Sequence, residues 1–172
     1  MQNHFDLFQL PARFSIDIGA LDAAYRDVQG QVHPDRFVHA TDAEKRVAMQ
    51  WATRANEAYQ TLKHPQKRAR YLCELNGVDL QTESNTAMPM AFLMQQMEWR
   101  EALGEARAAK DMAALESLDQ QVKQERKAQL VKIGSQLDAG DYEHAGQGVR
   151  ALMFLEKIVQ EIDGLFGMLE EH

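Results

Sequence analysis

Several things are scarce in this chain of 172 residues, and each scarcity removes a class of protein. Cysteine occurs once, at Cys73, which excludes an internal disulfide and any cysteine-built zinc cluster. Long apolar runs are missing, and none approaches the roughly 20 residues that span a bilayer. The opening residues, Met1 to Asp6, lack the basic start and apolar stretch of a signal peptide, so a cytoplasmic home is expected. Basic excess is missing too. Lys and Arg number 19 against 26 Asp and Glu, a net charge of -7, and an acidic chain without a basic stripe is a poor nucleic-acid binder.

What is present describes a globular helical protein. Hydrophobic residues make up 45% and charged residues 26%. The charge is unevenly spread: residues 1–76 carry 10 basic and 9 acidic groups, net +1, and residues 77–172 carry 9 and 17, net -8. This asymmetry points to two modules with different partners. Almost every segment follows the helical period, broken by Gly, Pro and Asn.

Phe5, Leu7, Phe8 and Leu10, followed by Pro11, form a short apolar opening. Asp17 is a fitting N-cap for a helix of about 15 residues with Leu21, Tyr25, Val28 and Val32 on one face. Pro34 ends it, because the residue before a proline avoids the α region. Thr41 to Glu44 reads as a capping box. The helix it opens is expected to bury Val47, Trp51, Ala55, Ala58, Tyr59 and Leu62. Pro65 suits a first helical position, and Asn76-Gly77 a helix exit. Cys73, in Tyr71-Leu72-Cys73-Glu74-Leu75, reads as a small core residue.

Residues 77–87 are polar and aperiodic and are expected to be a linker. Three helices are expected after it, at about 88–108, 111–138 and 142–169. Their short connections make neighbours antiparallel. The second carries Leu115, Leu118, Val122, Leu130, Ile133 and Leu137. The third carries Leu152, Leu155, Val159, Ile162, Phe166 and Leu169. Both stripes are expected to form the core of this bundle.

The loop His33-Pro34-Asp35 lies between two amphipathic helices. Proline stiffens it, Asp35 can accept a bidentate bond from an arginine, and His33 can offer a ring N–H. With Phe5-x-Leu7-Phe8-x-Leu10-Pro11 before it and Gln66-Lys67-Arg68-Ala69 after it, residues 1–76 resemble a J-domain. The resemblance implies that His33, Pro34 and Asp35, with Arg26 and Arg36 beside them, dock on a DnaK-class chaperone and stimulate its ATP hydrolysis. One departure stands out. The family usually carries several basic residues on the helix before the loop, whereas here only Arg26 stands there, offset by Asp22 and Asp27.

The second half narrows the resemblance. Ala91-Phe92-Leu93-Met94-Gln95-Gln96-Met97-Glu98-Trp99-Arg100-Glu101, after a J-domain and a short linker, is similar to HscB, the co-chaperone of iron–sulfur cluster assembly. At about 100° per residue, Phe92, Trp99, Leu103 and Ala106 share one side of this helix. Leu93, Met94, Met97, Glu98, Glu101 and Glu105 share the other. An apolar patch rimmed by carboxylates fits a protein-binding face, and methionine adapts to a partner's contour. Phe154 lies off the core stripe of the last helix. The resemblance implies that these seven residues hold the client, the scaffold protein IscU, and that the ATPase is HscA.

The expected architecture is therefore all-α: an N-terminal J-domain helical hairpin at 1–76, the linker at 77–87, and a C-terminal three-helix client-binding domain at 88–172. The expected function is a co-chaperone, not an enzyme, without cofactor or metal. His4, His39, His64, His144 and His172 show no ligand spacing on one helix face. Two other readings are a J-domain protein with a different client, and a helical hydrolase using His33 and Asp35. The latter lacks a nucleophile or second carboxylate nearby in sequence.

Overall fold

The computed structural model describes residues 2–80 and 88–171, and all regular structure among them is helical. The elements are α1 (His4–Leu7), α2 (Ile18–Val32), a 3-10 turn (Pro34–Phe37), α3 (Asp42–Lys63), α4 (Pro65–Leu75), α5 (Met90–Ala109), α6 (Met112–Asp138) and α7 (Tyr142–Glu170). None of these helices is long and apolar enough to cross a membrane. The expected linker is described only as far as Leu80; residues 81–87 lie outside the described residues.

Local chemistry sets the boundaries. Asp17 caps α2 by accepting the Ala20 N–H at 3.2 Å. Thr41 accepts from the Glu44 N–H at 3.2 Å, so α3 has the forward half of its capping box. Pro65 occupies the first turn of α4. Gly77, at φ +82°, supplies the left-handed turn that closes α4.

The apolar residues divide into two cores. In the first, Phe5, Phe8, Leu21, Ala55, Ala58, Leu62, Leu72 and Cys73 meet Ile133, Leu137, Val149 and Leu152. In the second, Trp99, Leu103 and Ala106 of α5 meet Leu115, Leu118 and Val122 of α6 and Leu155, Ile158 and Ile162 of α7. This corrects the expectation that both long stripes belong to one bundle core. The reason is length. At 1.5 Å per residue, α6 and α7 run about 40 Å and α5 only about 30 Å. Helix α5 turns back on α6 through a short connection and covers its first half. The far ends of α6 and α7 lie against α4 instead.

Helix α3 departs from expectation as well. Ala48, Ala55, Ala58 and Leu62 are buried, Tyr59 is half-buried, and Val47 and Trp51 are exposed. The buried stripe runs one position away from Val47, through alanines. Their small side chains let α2 approach closely, and the larger residues turn outward.

Two buried arginines brace the joint between the halves. Arg68 is buried; its Nη1 donates to the Leu62 carbonyl at 2.8 Å, and its guanidinium carbon lies 4.6 Å from the centre of the Phe14 ring. Phe14 in turn sits on Gly134 of α6, where an added Cβ would stand 2.6 Å from the ring. Asp138 secures the same segment, accepting the Phe14 N–H at 2.9 Å and the Ser15 hydroxyl at 2.5 Å. Arg150 of α7 donates to the carbonyls of Asp79 and Leu80. Val78 and Leu80 pack into the first core, and a Cβ at Gly146 would meet Val78 at 2.6 Å. Cys73 is fully buried, and burial pushes its thiol up to about 11, which suppresses the reactive thiolate.

Gly134→Val and Asp138→Asn test this joint, with Gly104→Ala on α5 as the contrast. Gly134→Val drives a branched side chain into Phe14 and lowers stability by about 1–3 kcal/mol, read by urea denaturation. Gly104→Ala, in α5 with open space around it, raises stability by about 0.5–1 kcal/mol. Equal effects at the two sites would contradict the wedge. Burial pushes the Asp138 carboxyl up, but hydrogen bonds from Ser15 and from the Phe14 and Ser15 amides outweigh it and hold the group below its ordinary value. A depressed carboxyl contributes stability above its unfolded pKa of about 4 and loses it as pH falls through the folded value. Asp138→Asn therefore removes part of the loss of stability below about pH 4, measured by melting across pH.

Candidate functional site

The His33 loop is built by its own backbone. Helix α2 stops at Val32, His33 is extended at φ -61° and ψ 138°, and Pro34 opens the 3-10 turn. The Arg36 N–H closes that turn on the His33 carbonyl at 3.0 Å. The Asp35 N–H donates to His33 Nδ1 at 3.2 Å. A ring nitrogen that accepts carries no proton, so the neutral imidazole keeps its proton on Nε2 for an outside acceptor. The Asp35 carboxylate stands 3.5 Å from the same Nδ1, and its side chain is 89% exposed. Thus the two side chains do approach each other, although two residues apart on a proline loop. They do so in the open, where recognition of a partner is favoured over chemistry that must exclude water.

Arg26 and Arg36 are both exposed. Asp22 does feel Arg26, as expected, but its closer partners lie on α3. Asp22 is held by Lys63 of α3 at 2.8 Å and by the Tyr59 hydroxyl at 2.6 Å. Hydrogen bonds from Lys63 and then Tyr59 keep its carboxyl below the ordinary value. Tyr59 also stacks on Tyr25, rings 4.1 Å apart. Asp27 holds Gln31 at 3.1 Å. Asp22 thus ties α2 to α3 in the hairpin that presents the loop, while Asp27 is bonded within α2.

On α5, Trp99, Leu103 and Ala106 are buried in the second core and Phe92 packs against it. Leu93, Met94 and Met97 are exposed, Met97 at 71%, and Glu98, Glu101 and Glu105 are exposed beside them. Phe154, 44% exposed, rises from α7, to which α5 is tied by Arg100 and Glu161 at 3.0 Å. All seven residues singled out in the sequence are open to a partner. Sequence reasoning missed Met90, one turn before Met94, and Met153, both exposed. The spacing of Met90 to Met94 and Met97 was the available signal. It also missed the open apolar surface of Val47 and Trp51, because period alone does not choose between adjacent stripes.

The family model described as the HSCB C-terminal oligomerisation domain matches residues 88–163. Over 168 residues the chain is 58% identical to the co-chaperone protein HscB homolog of Burkholderia mallei, spanning 98% of this chain and 96% of that one. Among solved structures it is similar to the chaperone HscB from Vibrio cholerae, with a TM-score of 0.82 and 35% identity over 98% of this chain and 99% of that one. It is similar as well to human co-chaperone protein HscB, with a TM-score of 0.86 and 28% identity over 95% of this chain and 81% of that one.

Proposed function

Because the chain belongs to the HscB family of co-chaperones, we propose that it delivers an IscU-type iron–sulfur scaffold protein to an HscA-type ATPase of the DnaK class and stimulates ATP hydrolysis there. The observation that supports this reading is a packed joint between two exposed surfaces. On one side stands the His33-Pro34-Asp35 loop, flanked by Arg26 and Arg36. On the other stands the Leu93, Met94, Met97 and Phe154 surface, rimmed by Glu98, Glu101 and Glu105. In this reading residues 1–76 are the J-domain, 77–87 connect it, and 88–172 hold the client. The protein binds and positions; the ATPase performs the chemistry, in the cytoplasm.

Each surface suits its task. Asp35 offers two oxygens to an arginine on the ATPase, and such a charged pair becomes stronger as the interface closes over it. The His33 Nε2–H adds a donor beside it. The methionine and leucine side chains of α5 fit a client's contour, and Phe154 supplies an aromatic anchor. The carboxylates steer and orient without having to be buried.

Asp35→Asn keeps the loop's shape and removes its charge. Losing one member of an interfacial charge pair costs about 2–5 kcal/mol of binding, a weakening of at least about thirty-fold. Stimulation of the ATPase is expected to vanish at working concentrations, with scaffold binding intact; an unchanged stimulation curve would refute the loop's role. Leu93→Ala, Met97→Ala and Phe154→Ala together are expected to lower scaffold affinity about a thousand-fold, from about 4 kcal/mol in total. Calorimetric titration with the scaffold reads the loss, and the melting temperature should remain close to the parent's because all three positions are exposed. A collapsed melting temperature, or retained affinity in a folded variant, would place the client elsewhere.

A further inference from the structure

The N-terminal turns of α3 hold apolar side chains that the fold leaves open. Val47 is 51% and Trp51 38% exposed. With Val32, Phe37 and Ala48 they line a groove of about 350 Å3 between the end of α2, the 3-10 turn and the start of α3. Glu44 is the charged member of its lining. The groove is held in shape from several sides. Ala48 is buried at its base, and the Thr41 cap fixes the first turn of α3. The Arg54 guanidinium lies 5.6 Å from the Trp51 ring centre and donates to the Gln2 carbonyl at 2.9 Å. A pre-shaped apolar recess with a tryptophan in its wall binds without a large ordering cost, and tryptophan is among the residues that most often dominate binding energy.

We infer that this groove receives an apolar segment of the same ATPase chaperone that the His33-Pro34-Asp35 loop engages. The inference rests on the reading of that loop proposed above. Continuity argues for this occupant: Val32 and Phe37 are walls of the groove and also bracket the loop, so a partner that reaches Asp35 lies across the groove's mouth. Charge argues for it as well. Arg26 is the only basic residue on α2, so that helix adds little attraction of its own, and the exposed cations Arg36, Lys45 and Arg46 lie around the groove instead. An apolar anchor beside an exposed charged loop is the arrangement of a binding core with a polar rim. The groove adds apolar affinity to the charged contact at Asp35.

The test uses the full chain, purified HscA-type ATPase and a titration of its stimulated turnover, with Trp51→Ala and Val47→Ser beside Asp35→Asn. Trp51→Ala is expected to raise the half-maximal concentration about thirty-fold, and Val47→Ser several-fold, with scaffold binding unchanged. Val47 is half-exposed, so its variant reads the groove even where Trp51→Ala melts early. Two folded groove variants with the parent's curve, alongside an inactive Asp35→Asn, would overturn the groove and leave the loop's role standing. An active Asp35→Asn would remove the loop's role and the groove's with it. A concentration-dependent dimer in sedimentation that Trp51→Ala dissolves, with stimulation unchanged, would assign the groove to a second copy of the chain and overturn the inference.

Discussion

The α6–α7 hairpin is longer than the helix that covers it, and the architecture depends on that mismatch. Helix α5 covers only one end of the pair. The remaining apolar residues, Ile133, Leu137, Val149 and Leu152, need a partner, because leaving them in water forfeits about 1.5–3 kcal/mol for each large side chain. Helices α1, α3 and α4, with Leu80, provide it. The two halves are therefore joined by a shared core. Glycines make the contact close: Gly134 under Phe14 and Gly146 under Val78, while Gly148 against Ile133 brings α6 and α7 themselves together. Arg68 and Arg150 then satisfy backbone carbonyls that the joint would otherwise bury without partners.

Much of the fold was legible in the sequence because its signals are local. Asp17, Thr41, Pro34, Pro65 and Gly77 mark helix ends through hydrogen bonds or dihedral limits that act within four residues. The outward turn of Leu93, Met94 and Met97 was legible for a related reason: Trp99 and Leu103 outweigh them as core residues on the opposite side. The division of the α6 and α7 stripes into two cores was not legible. A stripe states that a face is buried and does not state against what. The exposure of Val47 and Trp51 was hidden because alanine stripes carry little hydrophobic signal, although they allow the closest helix packing. Nothing in the sequence marks Arg68 and Arg150 as buried, since a sequence does not reveal which cations find carbonyls in the interior.

The surfaces of the candidate site divide along the same line. His33 and Asp35 could be picked out from residue type and proline stiffness. The backbone bond that leaves the histidine proton on Nε2 depends on a 3-10 turn that appears only in three dimensions. Likewise, Asp22 reads as a neighbour of Arg26, and only the structure adds Lys63, far along the chain, as its closer partner. Long-range ion pairs of this kind redirect local charge patterns, and they alter which groups remain to meet a partner.

The shared core carries a consequence for tethering. Two binding sites on a flexible chain meet at an effective concentration set by linker length and diluted by the volume the tether explores. Here the tie between the sites is a packed joint of Phe14, Gly134, Asp138 and Arg150. In the proposed role, a client held on α5 and α7 would meet the ATPase within one narrow range of distance and angle. Local concentration would then be governed by shape rather than by chain entropy, and lengthening the segment after Leu80 would dilute nothing as long as the joint stayed closed.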